Sequence, residues 1–253
     1  MIPKKIHYCW FGGNPLPQLA IDCINSWKKY CPDYEIIRWD ESNFNIEKYD
    51  YVKEAYEAKK YAFVTDVVRL FVLVKEGGIY MDTDVEVLKP LDDLLKLDAF
   101  SGFESDTKIP TGIMAAKKGH KLFKELLNEY DNVHFKKEDG TLDLTTNVIR
   151  ITNTCKKYGL VQNNKLQTVN GFTLFPKDYF CPKDLETRKL HLTENTYTIH
   201  HFDGSWLNEK ERFINHKTAK YRKHLPKKLS RYLAKIQYYI FSPFFKIKKR
   251  CNK

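Results

Sequence analysis

Residues 61–88, YAFVTDVVRLFVLVKEGGIYMDTDVEVL, constrain the fold more than any other part of the chain. Apolar residues first recur at helical spacing. Gly77-Gly78 then supplies a sharp reversal, and a short apolar strand runs into Asp82-Thr83-Asp84. Read as the end of a strand, Asp82 and Asp84 point the same way, because side chains alternate between faces. Paired carboxylates of this kind suit a hard divalent cation, Mn²⁺ or Mg²⁺, which can in turn hold a diphosphate. Asp66 and Arg69, at i and i+3, share one face of the preceding helix, a pairing suited to a polar, phosphate-bearing ligand. Taken singly these features are weak, since Asp-x-Asp occurs at solvated strand ends and an exposed ion pair contributes little. Their joint occurrence in one short segment is what points to a metal-diphosphate site.

The rest of the sequence extends the same pattern. Strands are predicted at 6–11, 34–39, 79–81, 100–104, 113–116, 173–176 and 197–201. Helices are predicted at 17–30, in two pieces over 51–73, and at 120–130 and 145–158. Alternating strands and helices predict an α/β fold with its sheet covered on both faces. Trp10 ends the first predicted strand, where open α/β sheets place ligands, so its ring could stack on a nucleobase; a core tryptophan is the alternative. Tyr8 shares a strand face with Trp10 and borders the same region, and Tyr80 precedes the Asp-x-Asp.

The 43 Lys and Arg against 32 Asp and Glu give a net charge of +11, unevenly spread. Fourteen basic residues and no acidic ones lie from Arg212 onward, leaving 29 basic against 32 acidic at positions 1–211, a net of −3. A nearly neutral body argues against nucleic acid as a partner, which needs basic residues along a folded groove. Residues 217–253 intersperse Tyr232, Leu233, Ile236, Tyr239, Ile240, Phe241, Phe244 and Phe245 with Lys and Arg, the composition of a helix lying in an anionic membrane interface. The expected organisation is therefore a catalytic domain at 1–211 and a membrane-associating segment at 212–253. Cys9, Cys23, Cys31, Cys155, Cys181 and Cys251 show no metal-binding spacing. No signal-peptide pattern opens the sequence and no apolar run is long enough to span a bilayer. Reduced cysteines and a cytoplasmic setting, peripheral on the inner leaflet, are expected.

Residues 61–88 resemble the DXD segment of a family of sugar-nucleotide glycosyltransferases. That family includes fungal initiating mannosyltransferases and bacterial capsular and surface-polysaccharide enzymes, and is related to the catalytic domain of the large clostridial glucosylating toxins. The opening residues 2–13, IPKKIHYCWFGG, resemble the first strand of the same enzymes, and the similarity extends to HHFDGSW at 200–206. The resemblance implies a GT-A type fold, a central mixed sheet flanked by helices. It implies that Trp10 stacks on uracil, that Asp66 and Arg69 contact donor sugar and phosphates, and that Asp82 contacts ribose or sugar and metal-bound water. By the same resemblance Asp84 ligates the metal and Trp206 contacts the diphosphate. Counting back five residues from Trp206, as in the toxins, selects His201 as the late metal ligand. The toxins carry glutamate there and serine where this chain has Gly204, so His200 and Asp203 remain alternatives.

The implied function is a metal-dependent, retaining hexosyl transfer from a nucleotide-sugar donor, expected to be UDP-linked, to a surface or capsular saccharide that is lipid-linked. No dedicated nucleophile stands out, and a glycosidase pair would need one protonated acid where Asp82 and Asp84 suit two ionised ligands. Two other readings compete: a toxin-like enzyme that glycosylates protein, and a non-catalytic sugar-nucleotide-binding protein.

Overall fold

The computed structural model of the chain describes the backbone of residues 1–251 other than Glu186, Ser205, Trp206 and Asn208. It describes the side chains of these residues as far as 241, apart from that of Glu209. Strands are β1 Lys5–Cys9, β2 Glu35–Trp39, β3 Gly78–Met81, β4 Val85–Val87, β5 Ala99–Gly102, β6 Ile113–Ala116, β7 Gln167–Val169, β8 Phe172–Phe175 and β9 Thr198–His200. Helices are α1 Gln18–Tyr30, α2 Asp50–Glu57, α3 Tyr61–Lys75, α4 Lys121–Asn128, α5 Asn147–Lys157, α6 Lys177–Phe180, α7 Glu209–Tyr221 and α8 Lys227–Cys251. The chain divides into two compact units, one of Met1–Pro182 with His191–His201 and one of Lys183–Leu190 with Phe202–Lys253.

A seven-stranded sheet in the order β2-β1-β3-β6-β5-β8-β7 runs through the first unit. β1 is parallel to β2 and β3, β6 is antiparallel to both of its neighbours, and β5 is parallel to β8. The sheet is therefore mixed and accompanied by helices, as expected of a GT-A type chain. β4 and β9 form a separate antiparallel pair in the same unit.

α3 places the site. Its valines lower intrinsic helix propensity, so burial must hold it. Val64, Val67, Val68, Leu70, Val72 and Leu73 are all inaccessible to solvent, each worth about 1.5–3 kcal/mol of transfer free energy. The helix ends at Gly77 and Gly78, whose φ of 69° and 103° suit glycine. A Cβ on Gly78 would lie 2.8 Å from the Lys5 carbonyl oxygen, so β3 can approach β1 only without a side chain there. Buried His7 of β1 fixes the same turn. Trp39 Nε1–H donates to its Nδ1 at 3.1 Å, which leaves Nε2–H to donate to the Gly77 carbonyl at 2.8 Å. Burial, the largest influence on it, holds this imidazole neutral by lowering its pKa. β3, wholly buried between β1 and β6, then delivers Asp82 to the edge where β1 delivers Trp10.

Candidate active site

β3 stops pairing with β6 at Met81 opposite Ile113, and the last rung is Asp82 N–H to the Gly112 carbonyl at 2.8 Å. The chain must then reverse to enter β4. Val85 N–H closes that reversal on the Asp82 carbonyl at 3.0 Å. Asp82 and Asp84 thus converge through a tight turn, and the expectation that strand alternation aligns them is corrected.

The histidine beside these carboxylates comes from β9. Val85 pairs with His200 and Glu86 with Ile199, and His201 N–H continues the ladder to the Asp84 carbonyl at 2.9 Å. Successive residues face opposite sides of such a pair. His200 Nε2 lies 3.3 Å from Asp84 Oδ1, whereas His201 Nε2 lies 2.9 Å from Glu86 Oε2. One ligand atom each from Asp82, Asp84 and His200 lies within 4.8 Å of the others. The geometry therefore groups His200 with the two aspartates, in place of the favoured His201. Asp203 is exposed and belongs to the other unit. Burial lowers the His200 pKa, but Asp84 overrides it and holds the imidazole well above its ordinary value. Close packing against Gly112 fixes the ring, since a Cβ at 112 would meet His200 Cε1 at 2.6 Å.

Beside this cluster, Arg69 is buried and fully engaged. Nη2 lies 3.2 Å from Asp66 Oδ1 and Nη1 lies 3.3 Å from Asp82 Oδ1. Nη1 also donates to the Thr111 carbonyl at 2.5 Å, and Nε to the Thr65 carbonyl at 3.2 Å. The guanidinium sits 4.7 Å from the centroid of the Tyr80 ring, and Tyr80 O–H donates to Asp82 Oδ1 at 2.8 Å. In this arrangement Arg69 holds two carboxylates in place. Burial lowers its pKa less than Asp82, Tyr80 and Asp66 raise it, so it stays charged. Burial pushes Asp66 the other way, up to about 6, against the pull of Arg69 and of the Asn147 N–H.

Trp10 is half-buried, with Nε1–H donating to the Asn14 carbonyl at 2.6 Å, while Tyr8 is buried edge-on against Trp27 at 5.8 Å between centroids. Trp206 lies outside the described residues. Three participants were not anticipated. Asn147, at the start of α5, gives its N–H to Asp66 Oδ2 at 3.1 Å and its Nδ2 to the Asp66 carbonyl at 2.7 Å. Half-buried Glu104, just beyond β5, has its pKa raised first by burial and further by Asp82, against His200 and Lys108. Gly112 admits the His200 ring. Asn147 could have been suspected as a polar residue opening a helix, but nothing in the sequence connects it to Asp66.

Two carboxylates and one imidazole fit a divalent cation: oxygen donors suit Mg²⁺ and Mn²⁺, and Mn²⁺ accepts nitrogen as well. Residues 17–101 match the family described as "Glycosyltransferase sugar-binding region containing DXD motif". Over that stretch the chain is similar to a DXD glycosyltransferase sugar-binding region. That region contains Asp66, Arg69, Tyr80, Asp82 and Asp84, in agreement with the resemblance read from residues 61–88, and lies between Trp10 and His200.

Among relatives, inositol phosphoceramide mannosyltransferase 3 of Schizosaccharomyces pombe is 34% identical over 142 residues, 53% of this chain and 40% of the relative. An uncharacterized glycosyltransferase of Acanthamoeba polyphaga mimivirus is 25% identical over 222 residues, 81% of this chain and 84% of the relative. Among solved structures, the PaToxG glycosyltransferase is 21% identical with a TM-score of 0.49, over 62% of this chain and 68% of that one. All three are glycosyltransferases by name. The chain spans about two fifths of the length of the fission-yeast enzyme.

Proposed function

We propose that this chain is a metal-dependent glycosyltransferase that moves a hexose from a nucleotide-sugar donor, UDP-linked, to a saccharide acceptor with retention of configuration. The observation that carries the reading is the Asp82–Asp84–His200 cluster beside the buried Asp66–Arg69 pair, within and next to a DXD sugar-binding region. Asp82, Asp84 and His200 would hold Mn²⁺ or Mg²⁺, with proton release from the imidazole on binding. The bound cation would offset negative charge growing on the nucleoside diphosphate as the glycosidic bond breaks.

The protein's own groups supply orientation. Asp66 accepts donor-sugar hydroxyls, Arg69 fixes Asp66 and Asp82 and contributes positive charge near the phosphates, and Trp10 stacks on the base. Tyr8 and Tyr80 belong to the same donor site. A histidine reaching the carboxylates from β9 favours this reading over a non-catalytic sugar-nucleotide-binding protein, which loss of the late ligand would have favoured.

The acceptor in this reading is a surface or capsular saccharide joined to lipid, in keeping with the inositol phosphoceramide in the fission-yeast relative's name. Residues 1–211 carry catalysis and residues 212–253 hold the enzyme at the inner leaflet, with the site open to the cytoplasm. Among the described residues no helix is long and apolar enough to cross a membrane. The deciding experiment is a panel of UDP- and GDP-sugars with Mn²⁺ or Mg²⁺, monitoring release of nucleoside diphosphate in water. One donor hydrolysed with metal and spared with chelator is expected. Equal turnover in excess chelator rejects the metal mechanism, and binding without turnover of any donor, acceptor extract included, rejects the enzyme.

A further inference from the structure

We infer that α8 docks on anionic lipid through one defined face, an inference that rests on the peripheral-membrane part of the reading above and specifies its geometry. Leu229, Tyr232, Ile236, Tyr239 and Ile240 are 44%, 62%, 40%, 61% and 58% exposed. At 100° per residue they fall within an arc of about 100°. Lys228, Arg231 and Lys235, all exposed, border that arc on one side. On another side Ser230 and Ala234 are fully buried. That packed side meets α7: Tyr221 O–H donates to Gln237 Oε1 at 2.8 Å, and Phe213 and Tyr238 pack with centroids 5.7 Å apart. α8 thus has three sides, one spent on α7, one cationic and one apolar and open to solvent.

A contiguous apolar side on an otherwise charged helix marks a contact surface. Three occupants could cover it. A second copy would bring together two segments that each carry fourteen basic residues and no acidic ones from Arg212 onward, with no charge to offset the repulsion. Nucleic acid would use the cations but gains nothing from Leu229, Ile236 and Ile240. An anionic bilayer surface satisfies both sides at once, lipid phosphates meeting Lys228, Arg231 and Lys235 while the adjacent arc enters the interfacial region. Lys210 Nζ donates to Tyr239 O–H at 2.9 Å, setting one more cation at the border of the arc.

The test uses the full chain and vesicles of phosphatidylcholine with or without phosphatidylglycerol. The variant Y232S/I236S/I240S removes the apolar arc and leaves the charge unchanged; K228Q/R231Q/K235Q removes the cationic border. Donor hydrolysis and circular dichroism check that each variant folds. Wild type is expected to bind anionic vesicles and to be released only in part by 0.5 M salt. The serine variant should bind at least tenfold more weakly and come off fully in salt, and the glutamine variant should lose its preference for anionic over neutral vesicles. Should wild type bind while the serine variant matches it in affinity and salt response, the docking face is wrong and the peripheral reading survives. Should wild type ignore anionic vesicles, the peripheral reading itself fails, and a concentration-dependent dimer abolished in the serine variant would assign the arc to a second copy instead.

Discussion

Asp66, Arg69, Asp82 and Asp84 come from one unbroken stretch of helix, turn and strand, whereas His200 reaches them from far along the chain through the β4–β9 pair. In the first region local geometry does the positioning. Asp66 and Arg69 are one helical turn apart, and the Gly77-Gly78 reversal fixes where β3 emerges. In the second, everything depends on register. A one-residue slip of β9 against β4 would exchange His200 for His201, because adjacent strand residues face opposite sides. Contiguous chain can therefore build the anionic half of the proposed cation site alone, while the proposed nitrogen ligand is only as well placed as the small sheet that carries it.

The largest effect should come from the contiguous half. Asp84→Asn removes a charge from the proposed cation site and is expected to lower metal-dependent donor hydrolysis by several kcal/mol of transition-state stabilisation, on the order of a thousandfold or more in rate. The metal-free variant should stay folded by circular dichroism but unfold at a lower temperature than wild type, since Asp84 is also the partner of the buried His200 imidazole. Wild-type turnover in Asp84→Asn would break the comparison at its stronger end.

The unevenness between the two regions also governs what could be read from sequence. α3, the glycine turn, β3 and their four charged residues were legible because their signals are local: helical spacing, paired glycines and an apolar run of strand length. Most other elements were found with ends shifted by a residue or two. β4, β7, α6 and α7 were missed; the two strands are each three residues long and give periodicity little to register. Missing β4 had a specific consequence. Without Val85-Glu86-Val87 as a strand there was no partner for residues 198–200, and counting along the late loop favoured His201. The turn at Asp82–Asp84 was hidden for the same reason, because only β4 requires the chain to reverse there. Glu104 and Gly112 left no local trace, and Asn147 only that of a polar residue opening a helix; their relation to the site exists only after folding.

Next in size is a pH effect confined to the contiguous half. The Asp66 carboxyl, pushed up by burial to about 6 from 3.8, binds its proton more tightly folded than unfolded. Its contribution is therefore fully present below pH 3.8 and lost as pH rises through 6, by about 3 kcal/mol, so stability should fall across that window. Asp66→Asn should remove that fall. Denaturant midpoints of metal-free protein between pH 4 and 7 measure it, and equal slopes in wild type and variant would show that Arg69 and Asn147 keep Asp66 ionised throughout.

The two histidines test the register directly. His200→Ala should weaken Mn²⁺ binding by at least 10–100-fold, the cost of losing even an outer partner of a metal ligand. His201→Ala should stay within a few-fold, because His201 engages Glu86. Gly112→Ala should mimic His200→Ala in weaker form, as its Cβ would press on the imidazole at 2.6 Å. Calorimetric titration of Mn²⁺ without nucleotide separates these outcomes from turnover. The reverse ranking of the histidines would mean that β9 pairs one residue out of register when metal binds.

The smallest expected effect lies at the neighbouring strand end, where Trp10 leaves β1 beside the edge that carries Asp82. Its ring is half-buried and its Nε1–H is already committed to the Asn14 carbonyl at 2.6 Å, so what it can offer a ligand is a ring face, not a hydrogen bond. A stacking contact of that kind is worth about 1–3 kcal/mol and does not depend on the cation. Trp10→Ala should therefore weaken UDP binding by roughly tenfold or somewhat more while leaving Mn²⁺ affinity in the absence of nucleotide unchanged. Trp10→Phe, which keeps a ring but not the donor, should recover most of the loss. If Trp10→Ala folds and binds UDP as wild type does, the ring is a packing residue and base recognition lies elsewhere. If it instead loses Mn²⁺ affinity, β1 and β3 position the cation site together, and the division between a self-sufficient contiguous half and a register-dependent partner must be redrawn to include the first strand.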